Sequence, residues 1–256
     1  ARVLVDALEG LSYVMLKVTM LVMGFAPFAV FAAVAAAIAK SGPGIFETYF
    51  FFMAEFYLGI VILWLLLFGA ASAVIGRRAI ALFKAVREPT LLAFATASSE
   101  AAYPKTLAQL EKFGCSNRVA AFVLPLGYSF NLDGSMMYCT FAVMFIAQAY
   151  GIELSAAQQL TMLLVLMVTS KGMAGVPRAR PVVIAARLAG LNIAQGGLLL
   201  ILGIDHFLDM ARSATNVIGN SVATAVVSKW EGQLRSETEV AADLANATST
   251  EASTKA

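Results

Sequence analysis

Charge is scarce in this chain. Asp, Glu, Lys and Arg make up 13% of its 256 residues and 60% are hydrophobic, whereas soluble domains carry about a quarter charged residues. With a mean hydropathy of +0.79, that balance excludes an ordinary soluble domain and points to an integral membrane protein. Histidine occurs once, and the two cysteines, Cys115 and Cys139, have no metal-like spacing, which argues against a zinc site. The net charge of +2 says little about partners, and no cluster of Lys and Arg interleaved with aromatics points to nucleic acid. No cleavable leader is visible. The chain opens Ala1-Arg2-Val3-Leu4 and reads as the middle of something longer.

What the sequence does contain is apolar runs of bilayer length. Residues 18–39 carry no charge and suffice to cross about 30 Å of hydrocarbon, with Pro27 producing a bend. The loop KSGPG (40–44) ends that run. A second span is expected over residues 56–76, between Glu55 and Arg77. Arg77, Arg78, Lys84 and Arg87 follow and mark a cytoplasmic loop, which places the start of this chain on the same side.

Residues 79–97 and 101–113 are helical in composition but short or charged, with TASSE (96–100) between them. Lys112 and Arg118 return the chain to the cytoplasmic side, so residues 79–113 read as a re-entrant hairpin. Ser98 and Ser99 are good N-caps for its second arm, which aims free N–H groups at the tip. Residues 117–152 are too long for one straight span and are interrupted by NLDGS (131–135), the pattern of a helix unwound in mid-membrane. Residues 154–191 repeat the hairpin shape around KGMAGVP (171–177), entering from the opposite side. Arg178, Arg180 and Arg187 oppose the positive-inside bias there, and the first two lie at a helix N-terminus that disfavours cations.

The segment GIDHFLDMARSATNVIGN (203–220) organises the rest. On a helix, Asp205, Asp209, Arg212, Ser213, Asn216 and Asn220 share one face, while Phe207, Met210, Ala211, Ala214, Val217 and Ile218 lie opposite. Such a stripe cannot face lipid, where each charge costs about 3 kcal/mol even on the mild insertion scale. It faces protein, water or a ligand. The bland interpretation is an Asp209–Arg212 pair that only fastens helices together. The sharper one is a binding face for a small zwitterionic or anionic solute. The span extends over residues 196–230 to Lys229-Trp230, an interfacial anchor, and residues 231–256 read as a disordered cytoplasmic tail.

Hairpin, broken span, hairpin and striped span form an inverted repeat, residues 79–151 against 153–230, the architecture of secondary transporters. Half-helix N-termini at the tips offer N–H groups to one carboxylate. Arg212 offers a bidentate pair to a second, and Asp209 is placed for an ammonium group. Unwound carbonyls near Asn131 and the Asp133 carboxylate suit a small cation. A solute with two carboxylates and one amine, glutamate or aspartate, satisfies all of these.

The segments TASSEAAYP, PLGYSFNLDGS, SKGMAGVP and DMARSATNVIGN resemble the first hairpin, broken seventh span, second hairpin and eighth span of the dicarboxylate/amino acid:cation symporters, the glutamate-transporter fold. The resemblance runs in order to Trp230 and implies an all-α, inner-membrane homotrimer that moves substrate by an elevator motion. Residues 79–230 would be the transport domain and residues 1–78 two helices of the scaffold side and linker. The scaffold helices that precede them in the family, a third to two-fifths of a full-length member, are not in this sequence. The resemblance also implies substrate contacts from Ala97 and Ser99, from Ser135, from the backbones of Val176 and Arg180, and from Asp209, Arg212, Ser213 and Asn216. Gly127, Asn131, Asn216 and Asn220 would frame one cation position, Asn131 and Asp133 another, and Ser129, Ser170 and Met173 a third. No cofactor is implied beyond the coupling ion.

Three departures bear on that ion and on the gate. Scaffold contacts and some cation ligands belong to the segment not in this sequence. Asn220 stands where sodium-coupled members generally carry Asp, and Met173 replaces a hydroxyl, so proton coupling is expected over sodium, with Glu100, Asp133 and Asp209 as candidate carriers. Arg178 and Arg180 occupy tip positions that are small in many members. Acidic amino acids fit the charges better than C4-dicarboxylates, which leave Asp209 facing an anion, or neutral amino acids, which leave Arg212 unmatched. An intramembrane aspartyl protease built on Asp133 and Asp209 is disfavoured, because Arg212 one turn away keeps Asp209 ionised. A passive anion channel would need an open polar path, whereas Gly/Pro tips read as gates.

Overall fold

A computed structural model describes residues 44–169 and 198–236, together with Val14, Phe28, Phe31, Ala32, Ala35, Ile38, Ala39, Gly42, Ile184, Glu239 and Val240. Its helices are α1 (Ile45–Ile75), α2 (Arg78–Ala85), α3 (Arg87–Thr96), α4 (Ser99–Phe113), α5 (Asn117–Phe130), α6 (Asp133–Ala149), α7 (Ala156–Thr169), α8 (Leu198–Leu202) and α9 (Asp205–Trp230). Among the described residues the β structure is one isolated antiparallel bridge, Cys115 to Leu234. Among the described residues two stretches are long and apolar enough to cross a membrane, Ile45–Ile75 and Asn117–Ala149. The expected span at residues 18–39, with Pro27, lies outside the described residues except at isolated positions.

α1 starts eleven residues before the expected 56 and runs 31 residues, about 46 Å at 1.5 Å per residue. Glu55, the expected boundary, does not end it. Glu47 sits in the first turn, where the helix dipole favours an anion, and both Glu47 and Glu55 are exposed. Three aromatic donors fix α1 against α8 and α9. The Tyr49 hydroxyl donates to the Leu200 carbonyl at 2.5 Å and that of Tyr57 to the Phe207 carbonyl at 2.8 Å. Trp64 Nε1 donates to Thr215 Oγ1 at 2.8 Å. The near-constant offset in residue number means that α1 runs beside α8 and α9 in the same direction. Leu200 lies in the last turn of α8, where carbonyls lack intrahelical partners and need such a donor.

The hairpin at residues 79–113 is present, with its first arm split at Val86 into α2 and α3. Pro89 explains the split, because in an unbroken helix its ring would clash with the carbonyl four residues back. α3 packs against α4, and Glu88 pairs with Lys105 across the two arms. The interruption in the next span is shorter than the expected five residues. α5 ends at Phe130 and α6 begins at Asp133, so only Asn131 and Leu132 are unwound, and Asp133, Gly134 and Ser135 form the first turn of α6. The striped span is not continuous from 196 either. Gly203 and Ile204 separate α8 from α9, with a tight Ile204 N–H to Ile201 carbonyl bond of 2.9 Å.

α9 is the hub, packed against α1, α3, α4, α5 and α6. Every residue from Ala211 to Val222 is buried, so both its polar and its apolar faces are covered by protein. In lipid, helices associate through close van der Waals packing rather than through water exclusion, which favours small residues at contacts. Ala93, Ala102, Ala120, Ala211, Ala214 and Ala225 fill that role, each at most 2% exposed. Bulky Phe50, Leu65, Phe122 and Val168 point outward and are exposed, as a lipid-facing shell requires.

The start of the tail is ordered, contrary to expectation. Residues 232–236 fold back on the α4–α5 loop: Ser116 N–H donates to the Gln233 carbonyl at 3.2 Å and Arg235 N–H to the Gly114 carbonyl at 2.9 Å. Arg78 joins the two segments, with Nη1 on the Arg235 carbonyl and Nη2 on the Phe113 carbonyl, both at 2.8 Å. Composition alone hides this, because the segment is held by main-chain bonds and one apolar residue, Leu234. Glu239 accepts from Ser236 backbone N–H and Oγ–H, which holds its carboxyl below the usual carboxylate range. Burial pushes the Cys115 thiol up. Residues 241–256 lie outside the described residues.

Candidate functional site

The first turn of α6 meets the middle of α9. Two glycines permit the approach: a Cβ at Gly134 would lie 2.3 Å from the Arg212 carbonyl oxygen, and one at Gly219 would lie 2.3 Å from Asp133 Oδ2. Backbone therefore touches backbone where the span is broken, and short polar side chains can bond across the contact.

Arg212 is the centre of those bonds. Its Nε pairs with Asp209 Oδ1, one turn back on the same helix. Nη1 donates to Ser135 Oγ at 3.0 Å and Nη2 to Ser213 Oγ at 2.9 Å. Asn216 Nδ2 also donates to Ser135 Oγ, at 3.2 Å, while its Oδ1 accepts from Gly134 N–H at 3.0 Å. Arg212 is 9% exposed, Ser135 2%, and Ser213 and Asn216 not at all. The Asp209–Arg212 pair anticipated by the bland interpretation does form. It lies within one helix, however, so it cannot fasten two helices together; the interhelical bonds are those to Ser135. Ser135 Oγ accepts twice, filling both lone pairs and leaving its hydroxyl proton to donate. The site thus presents a serine donor and a pre-aimed guanidinium side by side.

A second node lies two turns further along α9. Asn131 Nδ2 donates to Asn220 Oδ1 at 3.1 Å, and a Cβ at Gly127 would fall 2.4 Å from that same oxygen. Among the described residues Asn220 Nδ2 is buried with no hydrogen-bond partner. Gly127, Asn131 and Asn220 therefore meet here, with Asn216 one turn back along α9 in the first node, and Asp133 abuts Gly219 between them. Ser129, half-buried on α5, makes no described bond to either node.

The hairpin tip supplies a third element. Ala97 has φ 49°, left-handed for a residue with a Cβ. It closes α3 with two bonds, its own N–H to the Phe94 carbonyl at 3.3 Å and the Ser98 N–H to the Ala93 carbonyl at 3.1 Å, a helix stop that usually uses glycine. Ser98 then caps α4 by accepting from Ala101 N–H at 3.2 Å. Ser99 is fully buried, and its carbonyl accepts from the Tyr128 hydroxyl at 3.0 Å. Glu100 is exposed and takes bonds from the Ser98 and Ser99 hydroxyls. Ala93 and Ala102, from the two arms, pack on Val217 beside Asn216. Ser170, Met173, Val176 and Arg180, with Arg178 and Arg187, lie outside the described residues.

The family model of the sodium:dicarboxylate symporter family matches residues 1–230. The chain belongs to the sodium:dicarboxylate symporter family. It is 44% identical over 229 residues to the "Proton/sodium-glutamate symport protein" of Bacillus caldotenax, a match covering 90% of this chain and 54% of that protein. The corresponding protein of Bacillus subtilis (strain 168) is 41% identical over 224 residues, 88% of this chain and 52% of the other. The "C4-dicarboxylate transport protein" of Burkholderia orbicola (strain MC0-3) is 44% identical over 234 residues, 91% of this chain and 54% of the other. The chain thus spans about half the length of the curated relatives it matches. These relatives are transporters of a membrane-embedded family, in line with the composition and the helical fold.

Sequence reasoning missed the aromatic ladder of α1 and assigned no role to Tyr138, whose hydroxyl bonds Asp205. A signal was available for the first: Tyr49, Tyr57 and Trp64 are spaced by eight and seven residues, which places three polar-tipped aromatics on one helix face.

Proposed function

We propose that this chain carries the substrate site of a secondary symporter that takes up acidic amino acids, glutamate or aspartate, with a cation gradient, protons in the first instance. The observation that carries this reading is the buried Arg212, whose three nitrogens are aimed separately at Asp209, Ser135 and Ser213. A guanidinium so oriented recognises a carboxylate, Ser135 retains a proton to donate to it, and Asp209 beside it receives an amine. On this reading the tip at Ala97 and Ser99 and the segment containing Ser170, Met173, Val176 and Arg180 close over the substrate from opposite sides.

The coupling follows from charge. Among the described site residues Asp133 and Asp209 stand against one Arg212, so an acidic amino acid enters a site that is already net negative. It binds favourably only together with cations. Asn131 and Asn220 form a neutral amide pair in which an Asn220 oxygen is already engaged; this weakens a hard-cation position there and supports protons over sodium. Glu100, Asp133 and Asp209 remain the proposed carriers. The inverted repeat, the elevator motion, the homotrimer and the placement in a bacterial inner membrane with both ends of this chain cytoplasmic belong to the same proposal. The lengthwise bonding of α1 to α8 and α9 favours counting α1 with the moving body rather than with the scaffold side, to which residues 1–78 were expected to belong.

One observation favours a second substrate class. Because Arg212 already neutralises Asp209 within α9, a C4-dicarboxylate would not face an unpaired acid. Uptake of labelled glutamate, aspartate and succinate by proteoliposomes of the full-length protein decides between them, with pH and sodium gradients imposed separately. Uphill accumulation of glutamate or aspartate driven by the pH gradient is expected. Accumulation of succinate alone would overturn the substrate assignment, and accumulation driven only by sodium would overturn the coupling assignment.

A further inference from the structure

Asp205 and Tyr138 lie outside the network that would touch substrate, yet they are bonded to each other. The Tyr138 hydroxyl donates to Asp205 Oδ1. Tyr138 is 2% exposed and stands on α6 three residues after Ser135, on the same face. Asp205 opens α9 one turn before Asp209. From Gly134–Asn216 through Ser135–Arg212 to Tyr138–Asp205, residue numbers rise on α6 as they fall on α9. The two helices are therefore antiparallel, and their contact is pinned at two levels.

The inner level alone does not fix α6. Ser135 has a short side chain, and a small rotation of α6 about its axis would carry its Oγ away from Arg212 Nη1. Gly134 limits how near α6 comes to α9, and its N–H bond to Asn216 Oδ1 holds only the start of the first turn. A phenol anchored one turn outward does, because the ring is buried among apolar neighbours of the α1–α6 core and its hydroxyl must find an acceptor. We propose that Tyr138 and Asp205 form a positioning pair that locks the rotation of α6 against α9, so that Ser135 stays aligned with Arg212 and Asn216. This deepens the proposed function and rests on it for the use made of Ser135. Asp205 acts here as a hydrogen-bond acceptor and not through its charge.

That distinction makes the pair testable in the full-length protein. Tyr138→Phe and Asp205→Ala each remove the bond, whereas Asp205→Asn removes the charge and keeps an oxygen that accepts from the phenol. Tyr138→Phe and Asp205→Ala should each raise the half-saturating concentration of the transported acidic amino acid about tenfold, the effect of one hydrogen bond to a charged group. Maximal rate should change less than twofold. Asp205→Asn should stay within about threefold of wild type, and the double variant Tyr138→Phe/Asp205→Ala should be no worse than either single one. Amide hydrogen exchange of residues 131–140 without substrate gives a second readout, expected to be faster in Tyr138→Phe and Asp205→Ala and unchanged in Asp205→Asn. If wild type takes up no acidic amino acid, the proposed function fails while the exchange pattern still reports on the pair. An Asp205→Asn variant as impaired as Asp205→Ala beside a normal Tyr138→Phe would overturn the positioning role, as would unchanged exchange in all variants.

Discussion

Arg212 Nη1 lies 3.0 Å from Ser135 Oγ, so the only described bond from the guanidinium to another helix reaches the first turn after the break in the α5–α6 span. The remaining nitrogens are spoken for by Asp209 and Ser213 on α9 itself. The planar fork thus ties α9 to the start of α6. Arg212→Lys keeps the charge and loses the fork. If charge alone mattered, the variant would bind substrate nearly as wild type. We expect affinity for glutamate or aspartate to fall by at least about 100-fold, the loss of two charge-assisted hydrogen bonds, measured by calorimetry on the purified full-length protein.

Asp209 answers to a different measurement. Replacing it by Ser removes the partner of Arg212 Nε and the group assigned to the substrate amine. Glutamate uptake should fall by about 10- to 100-fold, while succinate, which has no amine, should be retained or favoured. Competition of the two labelled substrates on Asp209→Ser proteoliposomes reads this directly. Glutamate uptake equal to wild type would reject the role given to Asp209.

The close approach of α6 to α9 depends on the absence of a side chain at residue 134. In Gly134→Ala the new methyl meets a main-chain carbonyl at 2.3 Å, and unlike a flexible side chain that atom cannot swing aside. Overpacking of this kind costs about 1–3 kcal/mol. A Cβ at Gly69, on an exposed turn in the C-terminal third of α1, meets nothing within 4 Å, and the same change there gains helix propensity of about 0.5–1 kcal/mol. Thermal unfolding in detergent should therefore fall for Gly134→Ala and hold or rise for Gly69→Ala.

The polar stripe was legible because charge is so rare in this sequence that six polar residues spaced by three and four stand out. The hairpin at residues 79–113 and the broken span were legible for a related reason: Ser98 and Asn131 are poor helix residues inside otherwise helical stretches. Element ends were less so. Glu55 looked like a boundary because a charge reads as an interface, yet an exposed carboxylate on a long helix breaks nothing. The break at residues 131–135 looked longer than it is because Asp133, Gly134 and Ser135 have low helix propensity, and bonds from Asn216 and Arg212 override that preference. The bonds of Tyr49, Tyr57 and Trp64 join residues about 150 apart, a separation at which local pattern carries no information about partners.

Ala97 holds a left-handed backbone at a tip assigned to substrate contact, where a non-glycine residue costs about 1–2 kcal/mol. Ala97→Gly removes that cost but also gives the unfolded chain more freedom to lose, about 0.5–1 kcal/mol. Global stability should hence change little. The tip becomes free to leave its conformation, and substrate affinity should weaken about threefold to tenfold, with faster hydrogen exchange confined to residues 95–100. A large rise in melting temperature with unchanged affinity would mean that the strain serves no purpose in binding.

The clasp between residues 114–116 and 233–235 makes Cys115 a reporter. Its thiol is fully buried, and burial raises its pKa above the ordinary 9.0, so at pH 8 it is both shielded and protonated. Deleting residues 233–256 removes the Gln233 and Arg235 main-chain bonds together with Leu234, and uncovers it. Maleimide labelling of Cys115 at pH 8 should then speed up by at least about tenfold, while the buried Cys139 on α6, remote from the tail in sequence, serves as the internal control. The sign of the pH dependence follows from the raised pKa: the unfolded thiol ionises first. The stability contributed at Cys115 is therefore intact below about pH 9 and declines as pH climbs through and beyond that range. Melting temperature of the intact protein should fall between about pH 8.5 and 10, and Cys115→Ser, which has nothing to ionise there, should lose less over the same interval. Equal labelling rates with and without the tail would mean that the loop is shielded by α4 and α9 alone and that the returning segment covers nothing.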